Sequence, residues 1–196
     1  MALVVHRHDP PDRFITGTVG PPGQRTFFLQ ARTGERITSV SLEKEQVAVL
    51  AERINTLLDQ VALQTSTDTD PSGDGIDTEP LDQPIVDEFR VGTMTLAWDA
   101  DDEVLAIEVF PVVDVAEVAE DESGEPPEET DEEFPVEPAA EEVLLVRVPP
   151  SAARSFASRA LTVVSAGRPP CPFCGGPLDP EGHLCPRANG FRRTRQ

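Results

Sequence analysis

The sequence is poor in positive charge. Its 196 residues carry 16 Lys and Arg against 36 Asp and Glu, a formal net charge of -20. Phosphate neutralisation needs clustered Lys and Arg, so this balance argues against nucleic-acid or anionic-membrane binding by the main body. Long apolar runs are also missing. The longest are strand-sized, far below the roughly 20 residues of a membrane helix, and no transmembrane segment is expected. Met1-Ala2-Leu3-Val4-Val5 lacks the charged start and longer apolar stretch of a signal peptide. The default that follows is a cytoplasmic location. Cysteine is scarce, with three residues in one short C-terminal window. An odd number so placed suits metal ligation in a reducing compartment better than a disulfide framework.

What is present is one order of elements, met twice. Phe14 to Thr18, Thr26 to Ala31 and Ile37 to Val40 read as strands, and apolar residues at Val47, Leu50, Ile54, Leu57, Leu58 and Val61 keep one helical face. Phe89 to Thr93, Val104 to Val109 and Val143 to Val146 repeat the strands, followed by a helix at Ala153, Phe156, Ala160 and Val163. The expected fold is α+β: a tandem βββα duplication forming a mostly antiparallel sheet, two helices on one face, and a small C-terminal knuckle like a zinc ribbon. The expected divisions are residues 1–63, a flexible linker at 64–88, a second repeat at 89–166 with an acidic disordered insertion at about 114–142, and a C-terminal module at 167–196.

Several local features take an ordinary reading. Pro22-Gly23 suits the centre of a type II turn, and the loop around it lacks the Lys-Ser/Thr of a phosphate-binding motif. The alternating Asp residues of 65–75 lack the closing Glu of a calcium loop. Ser41 is the expected cap of the first helix. His6 and His8 read as exposed histidines near a terminus, Arg154 and Arg159 as exposed on the last helix, and Trp98 as packed on the sheet.

The C-terminus carries the chemistry. Cys171-Pro172-Phe173-Cys174-Gly175-Gly176 is the knuckle half of a zinc ribbon, in which two thiolates fold around one ion and glycines turn backbone amides towards sulfur. His183 and Cys185 supply the second pair, giving Cys171, Cys174, His183 and Cys185. Four protein ligands leave no open position, so the expected zinc is structural and not hydrolytic. A redox CxxC is disfavoured by the absence of a thioredoxin-like strand-helix context, and unligated thiols are the other competitor.

Several stretches carry a family resemblance. They are Gly17-Thr18-Val19-Gly20 through Arg25 to Arg32, Ser41-Leu42-Glu43-Lys44, Phe89-Arg90-Val91-Gly92-Thr93, and Gly167 to Cys171 with Cys185 to Gly190. In these the chain resembles the actinobacterial family known as domain of unknown function 3090. The family has no established activity, so the resemblance implies none.

Three functions remain. The favoured one is a non-catalytic zinc-stabilised adaptor that presents a basic tail, with Arg187, Phe191, Arg192 and Arg193, to a protein partner. No credible nucleophile-base pair is visible, so the reading leans away from an enzyme. The second is a binder or enzyme for a small anion, using Arg25, Arg32 or Arg36 between the repeats. The third, nucleic-acid binding through the basic module, ranks last against the acidic body.

Overall fold

A computed structural model describes residues 3–65, 76–113, 142–167 and 171–176, together with 178, 184, 185 and 187. Seven strands and two helices run in the order β1 (Val4–His8), β2 (Arg13–Val19), β3 (Thr26–Thr33), β4 (Arg36–Leu42), α1 (Lys44–Gln64), β5 (Asp87–Asp99), β6 (Val104–Pro111), β7 (Glu142–Val148) and α2 (Pro150–Ser165). They form an α+β fold with one mixed sheet in the order β1-β7-β6-β5-β4-β3-β2. Four neighbouring pairs are antiparallel, and β1-β7 and β4-β5 are parallel. The acidic insertion expected at about 114–142 lies, except for Glu142, outside the described residues, as does the Asp run of 66–75.

The alternation of the strands decides the core. Phe27, Leu29 and Ala31 of β3, Val40 and Leu42 of β4, Leu105, Ile107 and Val109 of β6 and Leu144, Val146 and Val148 of β7 share one buried cluster. The apolar stripes of both helices complete it: Val47, Leu50, Ala51, Ile54 and Leu58 from α1, and Ala153, Phe156, Ala157 and Ala160 from α2. Both helices therefore cover the same face. Phe156 also stacks on Phe14, with ring centroids 4.3 Å apart.

The local turns follow their residues. Gly23 has φ +96° and the Gln24 amide donates to Pro21 O, as Pro22-Gly23 requires. Ser41 does not cap α1. β4 continues to Leu42, so the cap falls on Glu43, whose carboxylate accepts the Gln46 amide while the Gln46 side chain accepts the Glu43 amide.

The sheet curls. β1 and β2 are opposite edges, yet only residues 9–12 separate them. Six interstrand steps span about 29 Å when flat, and the five-residue step from His8 to Arg13 reaches about 18 Å at most. The contact that records the closure is made by His8, which is fully buried: Nδ1 lies 2.8 Å from Thr33 Oγ1 and Nε2 lies 3.0 Å from Thr38 Oγ1. The reading of His8 as exposed is therefore wrong, because the short connection pulls the end of β1 under the β3-β4 hairpin. Burial, with help from Arg36 and then His6, pushes its pKa down from 6.5 to about 4. His6 is partly buried and sits 3.3 Å from Glu142 Oε2.

The other edge carries a strap. Residues 76–86, within the segment expected as a flexible linker, form no helix or strand but lie against β2 and β3. Leu81 is buried with Ile15 and Phe28, and Ile85 packs beside them. Gly17 is needed beneath it, since a Cβ there would stand 2.6 Å from Leu81 Cγ. Gln30 brackets the backbone of Asp82, donating to its carbonyl at 3.1 Å and accepting its amide at 2.7 Å.

Two arginines fix the strap. Arg13 holds Asp77 in a fork, 2.6 and 2.9 Å, and donates to Pro80 O and Glu79 O. Arg159 does not lie on the exposed side of α2 but is buried. Its Nε donates to Thr16 O at 2.8 Å, its Nη1 to Asp77, and its Nη2 to Glu79 O at 2.6 Å. An edge strand leaves carbonyls without ladder partners, and Arg159 is the donor that satisfies one of them. Arg154 is not exposed either; it pairs across the helices with Asn55 and Asp59.

Candidate metal centre

After α2 the chain brings Cys171, Cys174 and Cys185 together. Their sulfur atoms all lie within 4.8 Å of one another, Cys171 and Cys185 buried and Cys174 half-buried. The local turn has a simple cause. The Gly175 amide donates to Cys171 O at 2.8 Å, the Cys171 amide to Gly176 O at 2.7 Å, and Gly175 takes φ +76°. A glycine here lets the chain reverse and returns Cys174 to the side of Cys171. The Phe173 amide then donates to Cys171 Sγ at 3.4 Å.

The spacing of the sulfurs fits a metal better than a disulfide. Cys171 Sγ and Cys185 Sγ are 3.8 Å apart. Two sulfurs each about 2.3 Å from a tetrahedral ion are about 3.8 Å apart, whereas a disulfide bond measures about 2.05 Å. Burial raises the Cys171 thiol, but the Cys174 and Phe173 amides and the neighbouring thiols outweigh it, so its pKa lies below the ordinary value. That favours the thiolate, the form that ligates a metal, at Cys171. At Cys174 the Gly176 amide lowers the pKa, but burial and the neighbouring thiols outweigh it and push the pKa up. The three cysteines could hold an ion. His183, the expected fourth ligand, lies outside the described residues.

The other expected site residues divide. Arg25, Arg32 and Arg36 do not converge. Seven residues of extended chain from Arg25 to Arg32 cover about 23 Å, and Arg36 lies across the following turn with Arg7 O as its partner. Arg32 stands 3.6 Å from Asp82. Arg25 lines a cleft between the start of β3 and the ends of the helices. In the tail, Arg187 donates to Phe173 O at 3.2 Å, while Phe191, Arg192 and Arg193 lie outside the described residues. Lys44 and Arg90 stand in stretches that carry the family resemblance but are not among the expected site residues, yet both border clefts that Arg25 also lines.

No described helix is long and apolar enough to cross a membrane. The fold and the cysteine cluster together define an α+β protein with a candidate metal centre. Over residues 6–185 the chain belongs to the family described as protein of unknown function, DUF3090. No curated protein and no solved structure matches it.

Proposed function

We propose that this protein is a non-catalytic, zinc-stabilised interaction module of the cytoplasm. The observation that carries the reading is the approach of three thiols, from residues 171, 174 and 185, to within 4.8 Å of one another. His183 completes the set as the fourth ligand, and a closed Cys3His shell gives zinc a structural role. Free thiols at this spacing suit a reducing compartment. Phe173 and Leu184, each next to or near a ligand, are 64% and 86% exposed. They make an apolar tip on a metal knuckle, flanked by Arg187, which suits a protein partner presenting an acidic surface with apolar side chains. The repeated βββα order supports a duplicated scaffold that carries this tip.

The small-anion reading keeps Arg25 and gives up Arg32 and Arg36. Nucleic-acid binding ranks last, against a net charge of -20.

The test is elemental analysis with native mass spectrometry of protein purified without chelator. One zinc per chain is expected, lost in Cys174→Ser; unchanged metal content in that variant would sink the assignment. Phe173→Ser with Leu184→Ser should retain zinc and lose the co-purifying partner. Zinc without a partner in the parent protein would leave a metal-stapled fold and remove the adaptor role.

A further inference from the structure

The chain has fifteen arginines and a single lysine. That lysine, Lys44, lines a cleft of about 250 Å³ with Arg25, Phe27 and Val164. A second cavity of about 210 Å³ adjoins it, bordered by Arg25, Thr26, Ser41, Glu43 and Arg90. Arg25 belongs to both walls. Arg25, on the approach to β3, thus shares one cavity with Lys44 at the start of α1 and the other with Arg90 at the start of β5, in a protein of net charge -20. Glu43 is the one carboxylate among the described residues bordering these two cavities.

The three cations are not used up by the fold. Arg25 donates to Ala166 O at the end of α2, one contact for a group with five N–H donors. Arg90 pairs with Glu43, but both side chains are more than 60% exposed, and such pairs exchange readily with other anions. Lys44 makes no side-chain hydrogen bond or ion pair among the described residues. Phe27 and Val164 give the same cleft an apolar wall.

We propose that this cleft binds a small phosphomonoester. Arg25 and Lys44 hold the phosphate, Arg90 stands at its rim, and the organic part lies against Phe27 and Val164. A phosphate dianion offers three acceptor oxygens, enough to take an arginine fork and a lysine point charge together. The apolar wall separates an organic phosphate from the inorganic ion. This inference is independent of the metal reading.

The experiment uses the full chain as purified without chelator, titrated calorimetrically with phenyl phosphate, inorganic phosphate and benzoate. Phenyl phosphate is expected to bind at least about fivefold more tightly than inorganic phosphate, from burial of its ring. Lys44→Gln should weaken it by about tenfold or more with an unchanged melting temperature, since a charge-assisted contact is lost and no structural one. Arg32→Gln, at the far end of β3, should leave it unchanged. Because Lys44 is the only side-chain amine, phenyl phosphate should also slow its reductive methylation, read by mass. Undiminished affinity in Lys44→Gln, unprotected Lys44, or no binding at all would overturn the site. Benzoate as tight as phenyl phosphate would overturn the phosphate class, and equal affinity for the inorganic ion would overturn the apolar subsite.

Discussion

At the β2 edge, ionised groups do the closing: Arg13, Arg159 and Asp77 bind the strap of residues 76–82 along the strand. At the β1 edge, a neutral side chain does it, His8 between the hydroxyls of Thr33 and Thr38. Beyond His8, Arg36 reaches Arg7 O, and Leu3, Val4 and Val5 at the start of β1 are each about half exposed. An exposed strand edge has to be covered, shortened or charged to avoid unwanted pairing. This sheet covers one edge and keeps the other to five residues. The consequence is that the two edges should fail under different conditions, one when a charge is removed and the other when a charge is added.

The largest effect is expected at the β2 edge. Arg159→Leu keeps the apolar bulk of the side chain but strips donors from Thr16 O and Glu79 O and one cation from Asp77. Breaking a buried ionic network by removing one member costs about 3 to 5 kcal/mol. Urea denaturation should show a loss in that range, and the backbone amides of 76–82 should lose protection from hydrogen exchange. A loss below about 1 kcal/mol would mean that Arg159 adds little to what Arg13, Gln30 and the apolar contacts already hold, and would break the contrast between the edges.

The β1 edge should respond to pH. The pKa of His8 falls from 6.5 to about 4 on folding, through burial first and then Arg36 and His6. Between those values the unfolded chain binds a proton that the folded one does not, so stability falls as pH drops from about 6.5 to about 4 and is flat for this group above that window. A difference of this size is worth at most about 3.5 kcal/mol. Asp77 adds a loss in the same direction at lower pH, because the Arg13 guanidinium holds its carboxyl below the usual range. Stability measured by denaturant at several pH values, in parent and His8→Asn, separates the two. The variant should be less stable at pH 7 and lose less on acidification. An identical pH slope would overturn the role given to His8.

Part of this contrast was legible in the residues. The helical stripes at Val47, Leu50, Ile54 and Leu58 and the alternation of Phe27, Leu29 and Ala31 are periodic, and periodicity places core faces directly. The cysteine spacing likewise announced a cluster, because CxxC with a glycine behind it closes locally. The strap was hidden. Residues 76–86 scatter Ile76, Leu81, Ile85 and Val86 among Asp77, Glu79 and Asp82 without a period, and nothing in that pattern says that Leu81 alone is buried and that arginines claim its neighbouring carbonyls. Arg159 was misread for the same reason: a charged residue between small ones looks solvated until a free strand edge is set beside it. His8 depends on closure of the whole sheet, a property no local window contains. The grouping of Arg25 with Arg32 and Arg36 failed on distance along the chain, whereas Arg25 comes to share cavities with Lys44 and with Arg90 only through the fold.

A middle-sized effect tests what lies under the strap. Leu81→Ala removes the side chain that joins Ile15, Phe28 and Ile85. Truncating a buried leucine costs about 2 to 5 kcal/mol, and this small cluster near the surface should sit at the low end because the strap can settle into the space. Gly17→Ala should also destabilise, since its Cβ meets Leu81 rather than open solvent. The pair together sharpens the comparison. Leu81→Ala should relieve the cost of Gly17→Ala, so the double variant should be more stable than the sum of the two losses predicts; strict additivity would place the clash elsewhere.

The smallest effect belongs to the start of β1. Val5 is 46% exposed on β1, and Val5→Thr keeps the branched Cβ that strands favour while exchanging a methyl for a hydroxyl. Exposed substitutions of this kind shift stability by no more than about 0.5 kcal/mol. The measurement should be made at two protein concentrations, because a covered edge and a bare one differ in their answer. If β1 is free, the change is small and the same at both. A loss above about 1.5 kcal/mol that grows with concentration would mean that a second copy lies along Leu3 to Val5, since association adds to apparent stability by mass action. The two edges would then be alike in being covered, one by the chain's own strap and the other by a neighbour.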